Sequence, residues 1–363
     1  MIVSPSNLFW GQGNKNGSSL RMRVLDPLRG HEWDRAVALH RDGNSFHTSA
    51  WAKVLHQTYK HQPFYLQFFH KRTLAALIPL MEIRSRFTGS RGVCLPFSDV
   101  CEPLIFDPNI AESVRDQLLA FAKQRDWGHL EIRGGKSFPL ASVAASRFYG
   151  HTLSLSSNSA QIFDRFAGSV RRAIRKAERS EVNTVAVEDR QAISEFYELH
   201  VLTRRRHGLP PQPASFFLNI HHHLIKSGQG FTVLARRGSR TIAAAVFFRF
   251  GKNAFYKFGA SDKRYQEFRA NNLVMWRGIQ RLVDSGAEKL HFGRTDCEDN
   301  GLRRFKLSWD TEEQAIDYFR VDPSGQQLPA SVGADSGFHK RIFGTLPLIF
   351  NRLAGSLVYP HLD

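Results

Sequence analysis

The sequence predicts two α/β domains of similar construction, each with a mixed central sheet flanked by helices. The chain has 363 residues, which is enough for two domains of ordinary size. Hydrophobic residues make up 42% of it and charged residues 23%, a composition typical of globular proteins. One order of elements, namely strand, two helices, three strands, helix and strand, is found in each half of the chain.

The first half contains this order once, after residues 1–20, which we expect to be a flexible lead. RMRVLD is a short strand, and HEWDRAVALH and SFHTSAWAKVLHQTYK are helices, the second with Thr48 or Ser49 as its N-cap. PFYLQFF and LAALIPLMEI look like neighbouring strands, and GVCLPFSDVCEPLIF gives another strand and a loop. ESVRDQLLAFAKQRDW is an amphipathic helix, and the strand GHLEIRG completes the order.

The second half contains it again, after the helix SVRRAIRKAERS. The strand VNTVAVE leads to two helices, QAISEFYELHVLTRRRHG and PASFFLNIHHHLIKSG, and then to the strands FTVLARR, TIAAAVFFRF and NAFYKFGAS. NNLVMWRGIQRLVDSG is a helix with an Asn start and a Gly stop, followed by the strand EKLHFGR. A Ser-rich break between Gly150 and Ala167 separates the halves. We therefore predict domains at 21–160 and 161–325, and a tail at 326–363 that packs on the body.

The charge of the chain predicts a polyanionic partner. Fifty Lys and Arg stand against 33 Asp and Glu, which gives a net charge of +17. A field of that sign attracts nucleic acid, phosphorylated sugars, acidic carrier proteins and anionic lipids. The alternative is that the charge serves solubility alone.

Cysteine and hydrophobic patterns indicate a reducing compartment and no membrane span. The three cysteines lack metal-ligand spacing, and so odd and small a number is typical of a cytoplasmic protein. His221–His223 are consecutive, so on a helix they point about 100° apart and do not face one ion. We expect no metal and a cytoplasmic location. The basic, apolar tail leaves contact with the inner face of the membrane as an open alternative.

Several stretches resemble one known family. SVRRAIRKAERSEV, FYKFGASD, NNLVMWRGIQ and LHFGRTDCEDNGLRRFKLSW together resemble the FemAB-like (lipid II:glycine glycyltransferase-like) branch of the GNAT acyltransferase superfamily. SFHTSAWAKVL, LIPLMEIRSRF and LPFSDVCEPLI resemble the first domain of the same proteins. The resemblance covers nearly the whole chain after about Arg21 and implies tandem GNAT-like domains, of which the second carries the chemistry.

The resemblance also implies a reaction. Proteins of this branch move an aminoacyl or acyl group onto an amine of a cell-envelope precursor, such as that of peptidoglycan or exopolysaccharide, by direct attack. The donor would be an aminoacyl-tRNA, an acyl carrier or an acyl-CoA, and no cofactor would stay bound. The polyanionic partner would then be tRNA, a carrier protein or a phosphorylated glycolipid.

Ionisable residues cluster where the strand HFGRTD ends. Gly293 allows a ligand or a neighbouring backbone to approach closely. Arg294 and Asp296 would position the acceptor through its carboxylate or phosphate and its amine. The alternative is an exposed Arg–Asp pair in a turn, which stabilises little.

Lys306 is the predicted centre of the chemistry. If LRRFKLSW is helical, Leu302, Phe305 and Trp309 share a face and Lys306 lies beside it. The family match implies that Lys306 stabilises negative charge as the amine attacks the acyl carbon, with Phe305 next to the substrate. Without that match, a lysine snorkelling at the surface is the simpler interpretation.

Two further groups are predicted to bind substrate. Arg172, Arg175 and Arg179 align on one helix face, where like charges favour a polyanion, although such a run is usually a solvated face. The other group lies where a strand runs into the next helix. Its members are Tyr256, Lys257, Ser261, Arg269 and Asn272.

The second group bears on the donor. In GNAT folds the start of this helix binds the donor pyrophosphate through backbone N–H groups. DKRYQEFRANNL stands here in place of the acetyl-CoA loop, Arg/Gln-x-x-Gly-x-Gly/Ala, which argues against acetyl-CoA. Two alternatives stay open: an acyl-CoA- or acyl-carrier-dependent N-acetyltransferase, and a non-catalytic binder of nucleic acid or anionic lipid on the same fold.

Overall fold

The computed structural model describes residues 9–10, 20–30, 32–135, 138, 140–329, 343, 345 and 347–362. Their contacts divide the chain into two compact units. Unit 1 comprises the described residues of Met1–Phe148, Ile316–Ser331 and Pro360–Asp363. Unit 2 comprises those of Tyr149–Ala315 and Val332–Tyr359. The domain limits predicted from the sequence stay predictions.

The helices and strands of the described chain are numbered in chain order. The helices are α1 Glu32–Ala38, α2 Ser49–Tyr59, α3 Ala111–Gln124, α4 Ser159–Arg165, α5 Gly168–Arg179, α6 Arg190–Arg206, α7 Ala214–Ile220, α8 Ala270–Asp284, α9 Asn300–Leu307 and α10 Leu348–Val358. The strands are β1 Phe9–Trp10, β2 Leu20–Leu25, β3 Gln62–His70, β4 Thr73–Ser85, β5 Gly89–Val93, β6 Leu104–Ile105, β7 His129–Arg133, β8 Ser146–Ser154, β9 Asn183–Val187, β10 Gly230–Arg237, β11 Arg240–Phe250, β12 Asn253–Ser261, β13 Lys289–Asp296 and β14 Glu312–Val321.

Unit 1 is a mixed sheet with helices. Strands β2, β3, β4 and β5 pair antiparallel in that order, and β5 pairs parallel with β7 across the helix α3. The side chain of Thr48 accepts a hydrogen bond from the Trp51 amide, so the predicted N-cap of α2 is confirmed. Trp51, Tyr65 and Phe68 are fully buried at the centre of the core.

Unit 2 repeats this pairing. Strands β9, β10, β11 and β12 are antiparallel neighbours, and β12 pairs parallel with β13 across the helix α8. Short connections suffice for antiparallel neighbours, whereas a parallel pair needs a crossover, which α3 and α8 provide. The predicted duplication of strand, two helices, three strands, helix and strand is confirmed.

The structure differs from the prediction in several elements. β8 and α4 occupy the Ser-rich segment that was expected to be a break. Two of the buried residues of β8 are Gly150 and His151, neither of which gives a hydrophobic signal. α8 follows Arg269, whose φ is 56°, and not an Asn cap. Within the predicted flexible lead, β1 pairs with β2, and residues 1–8 and 11–19 lie outside the described residues.

The helix α8 lies very close to the sheet of unit 2. A Cβ at Gly278 would fall 2.1 Å from Cζ of Phe247 on β11, so only glycine permits this approach. Ile279, the next residue, is fully buried in the same core. This contact sets how closely the middle of α8 packs on the sheet, and the start of the same helix borders the site described below.

Candidate functional site

The two parallel strands of unit 2 separate at their carboxyl ends. β12 and β13 pair only over Asn253–Phe255 and Lys289–His291 in the described chain, and both strands then continue for several residues. In the pairing of β11 with β12, Phe247 is opposite Tyr256 and Val246 is opposite Phe258, so Lys257 is the extra residue of a β-bulge. The two strands thus stop pairing before they end, and the expected cleft between them stays a prediction.

A cavity of about 430 Å³ opens in unit 2 beside the end of β12. The end of β12, the start of α8, the end of α6 and the apolar side of α9 form its walls. Five of the residues predicted to bind substrate line it. They are Tyr256, Ser261, Arg269, Asn272 and Phe305.

A second cavity of about 440 Å³ lies beside the first and shares three lining residues with it, Arg269, Asn272 and Phe305. Arg172 and Lys176 of α5 line its other side. We call the surface formed by Arg172, Lys176, Arg206 and Arg269 the basic groove. Its four cations make it suitable for phosphate groups.

Tyr256 is held against a glycine in the wall of the cavity. A Cβ at Gly259 would fall 1.8 Å from the Tyr256 hydroxyl oxygen, so the side chain takes this position only because residue 259 has none. Burial raises the pKa of Tyr256 to about 12. The hydroxyl is therefore protonated at neutral pH, where it is a hydrogen-bond donor and not a base.

The end of α6 supplies polar residues that were not among the predicted site residues. The Ser261 amide donates to Thr203 Oγ1 at 3.1 Å, and Asn271 Nδ2 donates to Ser261 Oγ at 3.1 Å. These bonds tie α6 and α8 to the end of β12. His207 follows on the cavity wall, where its Nε2 lies 3.4 Å from Arg206 Nη2.

His207 is the histidine among the residues that line the cavity. Partial burial lowers its pKa, and the positive charges of Arg206 and Arg204 lower it further. The imidazole is therefore neutral at neutral pH and is able to accept a proton. The sequence alone does not indicate this position of His207, because nothing local shows that the end of α6 meets the end of β12.

Lys306 is buried, with 4% of its surface exposed, and it lines neither cavity. Its Nζ donates to the carbonyl oxygens of Gly293 at 2.8 Å and Arg294 at 3.0 Å. Gly293 has a φ of 73°, so the backbone turns at the residue whose carbonyl oxygen accepts from Lys306 Nζ. Lys306 thus holds the part of β13 that lies beyond its pairing with β12. The predicted helix around it, α9, is confirmed.

A partly buried hydrogen-bond network around His151 feels the charge of Lys306. His151 is buried, with Nε2 3.0 Å from Glu313 Oε2 and Nδ1 3.5 Å from Thr295 Oγ1. Arg303 donates to both oxygens of Glu313 at 2.7 Å. Burial lowers the pKa of His151, and the charge of Lys306 lowers it further. These contacts hold β13 and α9 in register around the site.

The apolar side of α9 faces the cavity. Leu302 and Phe305 are 38% and 37% exposed and line the cavity wall, whereas Trp309 is fully buried. The sequence predicted that these three residues share one face of the helix. In the structure Leu302 and Phe305 line the cavity, whereas Trp309 lies in the core. Apolar exposure of this kind is typical of a ligand site.

Some predicted site residues lie away from both cavities. Arg294 and Asp296 are exposed on either side of the buried Thr295 and line neither cavity. Arg175 lies over the Phe163 ring at 5.6 Å, and Lys257 lies over the Phe258 ring at 5.4 Å. Arg179 is exposed and lines neither cavity. The roles proposed for these five residues stay predictions.

Comparisons with known proteins agree with this architecture. Residues 164–307 match the family model described as an acetyltransferase (GNAT) domain. The crystal structure of FemX aligns with a TM-score of 0.65 at 14% identity, covering 82% of this chain and 96% of FemX. L-PGS from Bacillus licheniformis aligns with a TM-score of 0.53 at 10% identity, covering 87% of this chain and 98% of its own.

A third solved structure is itself a duplicated protein. The tandem GNAT protein from the clavulanic acid biosynthesis pathway aligns with a TM-score of 0.52 at 7% identity, covering 86% of this chain and 100% of its own. No curated protein matches the sequence. At these identities the structures show the fold, and the predicted tandem GNAT-like fold is confirmed.

Proposed function

We propose that this chain, an acyltransferase with a GNAT domain at residues 164–307, moves an aminoacyl or acyl group onto an amine of a cell-envelope or exopolysaccharide precursor. One observation carries the proposal: a cavity beside the end of β12, walled by α6, α8 and α9, adjoins the basic groove. A donor or acceptor with phosphate groups fits such a surface. The likeness in fold to FemX supports the same branch of chemistry.

The reaction proceeds by direct attack within the cavity. The acceptor amine forms a bond to the acyl carbon, and the bond from that carbon to the donor's ester oxygen or thioester sulfur breaks. The proton lost by the amine passes to the neutral His207, which then returns it, directly or through water, to the leaving oxygen or sulfur. The protonated Tyr256 hydroxyl donates a hydrogen bond to the negative charge that develops on the carbonyl oxygen.

The basic groove holds the phosphate groups of the polyanionic partner. Arg172 and Lys176 lie on one side of it and Arg269 lies at the start of α8. tRNA, the phosphopantetheine of a carrier protein and a phosphorylated glycolipid all present such groups. A glycolipid acceptor would place the protein at the inner face of the membrane.

Lys306 has two proposed contributions. Its predicted role in stabilising the oxyanion follows from the family resemblance and stays a prediction. Its bonds to the Gly293 and Arg294 carbonyls support a positioning role, because they hold the part of β13 that lies beyond its pairing with β12. The acceptor-positioning roles of Arg294 and Asp296 also stay predictions.

The experiment that tests the proposal is mass spectrometry of amine acceptors after incubation with aminoacyl-tRNA, acyl carrier protein and acyl-CoA in parallel. We expect acylated product with at least one of the first two donors. Product with acyl-CoA alone, together with thermal stabilisation by CoA, would favour the N-acetyltransferase alternative. Absence of product with all three donors, despite salt-dependent tRNA binding, would favour the non-catalytic alternative.

A further inference from the structure

The C-terminal helix α10 attaches to unit 2 by its small and polar face. It begins after Pro347, and its buried residues Asn351 and Gly355 are followed one turn later by the buried Tyr359. A Cβ at Gly355 would fall 1.9 Å from the Pro211 carbonyl oxygen, so the helix backbone touches the loop after α6. Arg204 of α6 donates to the Tyr359 hydroxyl at 2.7 Å.

The opposite face of α10 is apolar and exposed. Ile349, Leu353 and Leu357 are 73%, 56% and 73% exposed, and Phe350 beside them is 59% exposed. Each of the first three precedes a buried position by two residues, which is about 200° around the helix. The helix therefore turns its most hydrophobic side away from the protein, the reverse of the arrangement in an ordinary surface helix.

The charge of the protein points to an anionic lipid surface as the partner of this face. The helix carries Arg352, which pairs with Glu198 of α6 at 2.8 Å, and no Asp or Glu, and the chain as a whole has a net charge of +17. That net charge complements a negatively charged bilayer. A second copy of the chain fits less well, because the apolar side chains of one 11-residue helix expose less than the ~800 Å² per partner that specific interfaces bury.

We propose that α10 is an interfacial anchor that inserts Ile349, Phe350, Leu353 and Leu357 into the headgroup boundary of a membrane containing anionic lipid. An amphipathic helix of this kind lies in the plane of the interface, and its binding combines apolar burial with attraction between opposite charges. No helix among the described residues is long and apolar enough to cross a bilayer. The anchor is a surface property, so it stands independently of the proposed acyl transfer.

Vesicle flotation tests this proposal with the full chain. The wild-type protein should float with vesicles of phosphatidylglycerol and phosphatidylcholine in equal parts, and more weakly with phosphatidylcholine alone. The variant Ile349→Ser/Leu353→Ser/Leu357→Ser should partition into the mixed vesicles at least about tenfold less. Leu39→Ser removes a leucine of unit 1 that is 75% exposed and should float like the wild type.

Two outcomes would overturn the anchor. One is equal flotation of the triple variant and the wild type. The other is a lipid-free dimer of the wild type that the triple substitution converts to a monomer, with flotation absent, since a second copy would then cover the face. Unchanged thermal unfolding of the triple variant shows that its fold is intact. No acyl donor is needed, so failure here is distinct from failure of the proposed transfer.

Discussion

Two side chains of the cavity differ in protonation because their surroundings differ. Burial holds Tyr256 in its protonated form, with a pKa of about 12. Partial burial and neighbouring arginines hold His207 in its neutral form by lowering its pKa. A pair of this kind, one donor and one acceptor at the same pH, is what acid–base chemistry on an attacking amine requires.

The histidine predicts the pH dependence of the reaction. Because the pKa of His207 lies below its usual value of about 6.5, the acyl-transfer rate should be level at neutral pH and fall as the pH drops through that lowered pKa. His207→Gln should lower the rate by about 10²-fold at pH 7.5 and remove the acidic limb of the profile. The measurement is the initial rate from pH 5 to 8.

The matched control is His222→Gln, which changes an exposed histidine outside both cavities. It should keep the wild-type rate and the wild-type profile. If His207→Gln retains the acidic limb, another group carries the proton and His207 is not the base.

A second prediction concerns the glycine beneath Tyr256. Gly259→Ala places a methyl group 1.8 Å from the tyrosine oxygen, so the ring must leave its position. We expect the stability to fall by about 1–3 kcal/mol and acyl transfer to be lost. Gly301→Ala, on a helix with room for the methyl group, should be neutral or slightly stabilising.

Tyr256→Phe in the Gly259→Ala background separates packing from chemistry. Removing the hydroxyl relieves the closest contact, so part of the thermal stability should return, whereas activity should not. Full activity in the Gly259→Ala variant would show that the tyrosine position is irrelevant to the reaction.

Local sequence patterns predicted the helices and strands better than they predicted the arrangement of the site. Hydrophobic periodicity and turn residues indicated β10, β11, β12 and α8, because those signals are carried within each element. The bulge at Lys257 was not predictable, since it depends on the register against β11. That bulge is what brings Tyr256 over Gly259, so the central contact of the cavity depends on pairing and not on pattern.

The helix α9 shows a second limit of pattern reasoning. Leu302 and Phe305 belong to an apolar face in the sequence, and the same face would serve a core or a cavity wall. Only the packing of unit 2 shows that they line a cavity, while the charged Lys306 is buried. The β8 strand was missed for a related reason, because His151 is buried through hydrogen bonds and not through hydrophobicity.

Two pairs of basic residues on the helix α5 allow a comparison of two variants that lose the same net charge. Arg172 and Lys176 line the groove, whereas Arg175 and Arg179 on the same helix do not. Arg172→Gln/Lys176→Gln should weaken tRNA binding and reduce the slope of log affinity against log salt by about one to two units. The measurement is fluorescence anisotropy of labelled tRNA across a salt series.

Arg175→Gln/Arg179→Gln removes the same charge from the same helix and is the matched control. Its salt slope should stay near that of the wild type. Equal slopes for the two double variants would mean that net charge alone drives binding and that the groove is not the anion site.

At the scale of the molecule, duplication and charge were both apparent from the sequence. The duplicated fold could be predicted because the prediction depends only on the order of the elements, which local patterns indicate along the whole chain. That prediction is confirmed. The compact units are discontinuous, with residues 316–331 returning to unit 1, and no composition change announces such an exchange. The site itself belongs to unit 2, and the expected help of the first unit in shaping the acceptor groove stays a prediction.

The central claim is that acyl transfer takes place in the cavity between β12, α8, α6 and α9. The most direct test is the yield of acylated acceptor, by mass spectrometry, from two variants of α9. Leu302→Trp adds bulk at the cavity wall, and Leu307→Trp adds the same bulk at an exposed position outside both cavities. We predict at least about a tenfold loss of product for the first and wild-type yield for the second. Equal yields from both variants would contradict the account.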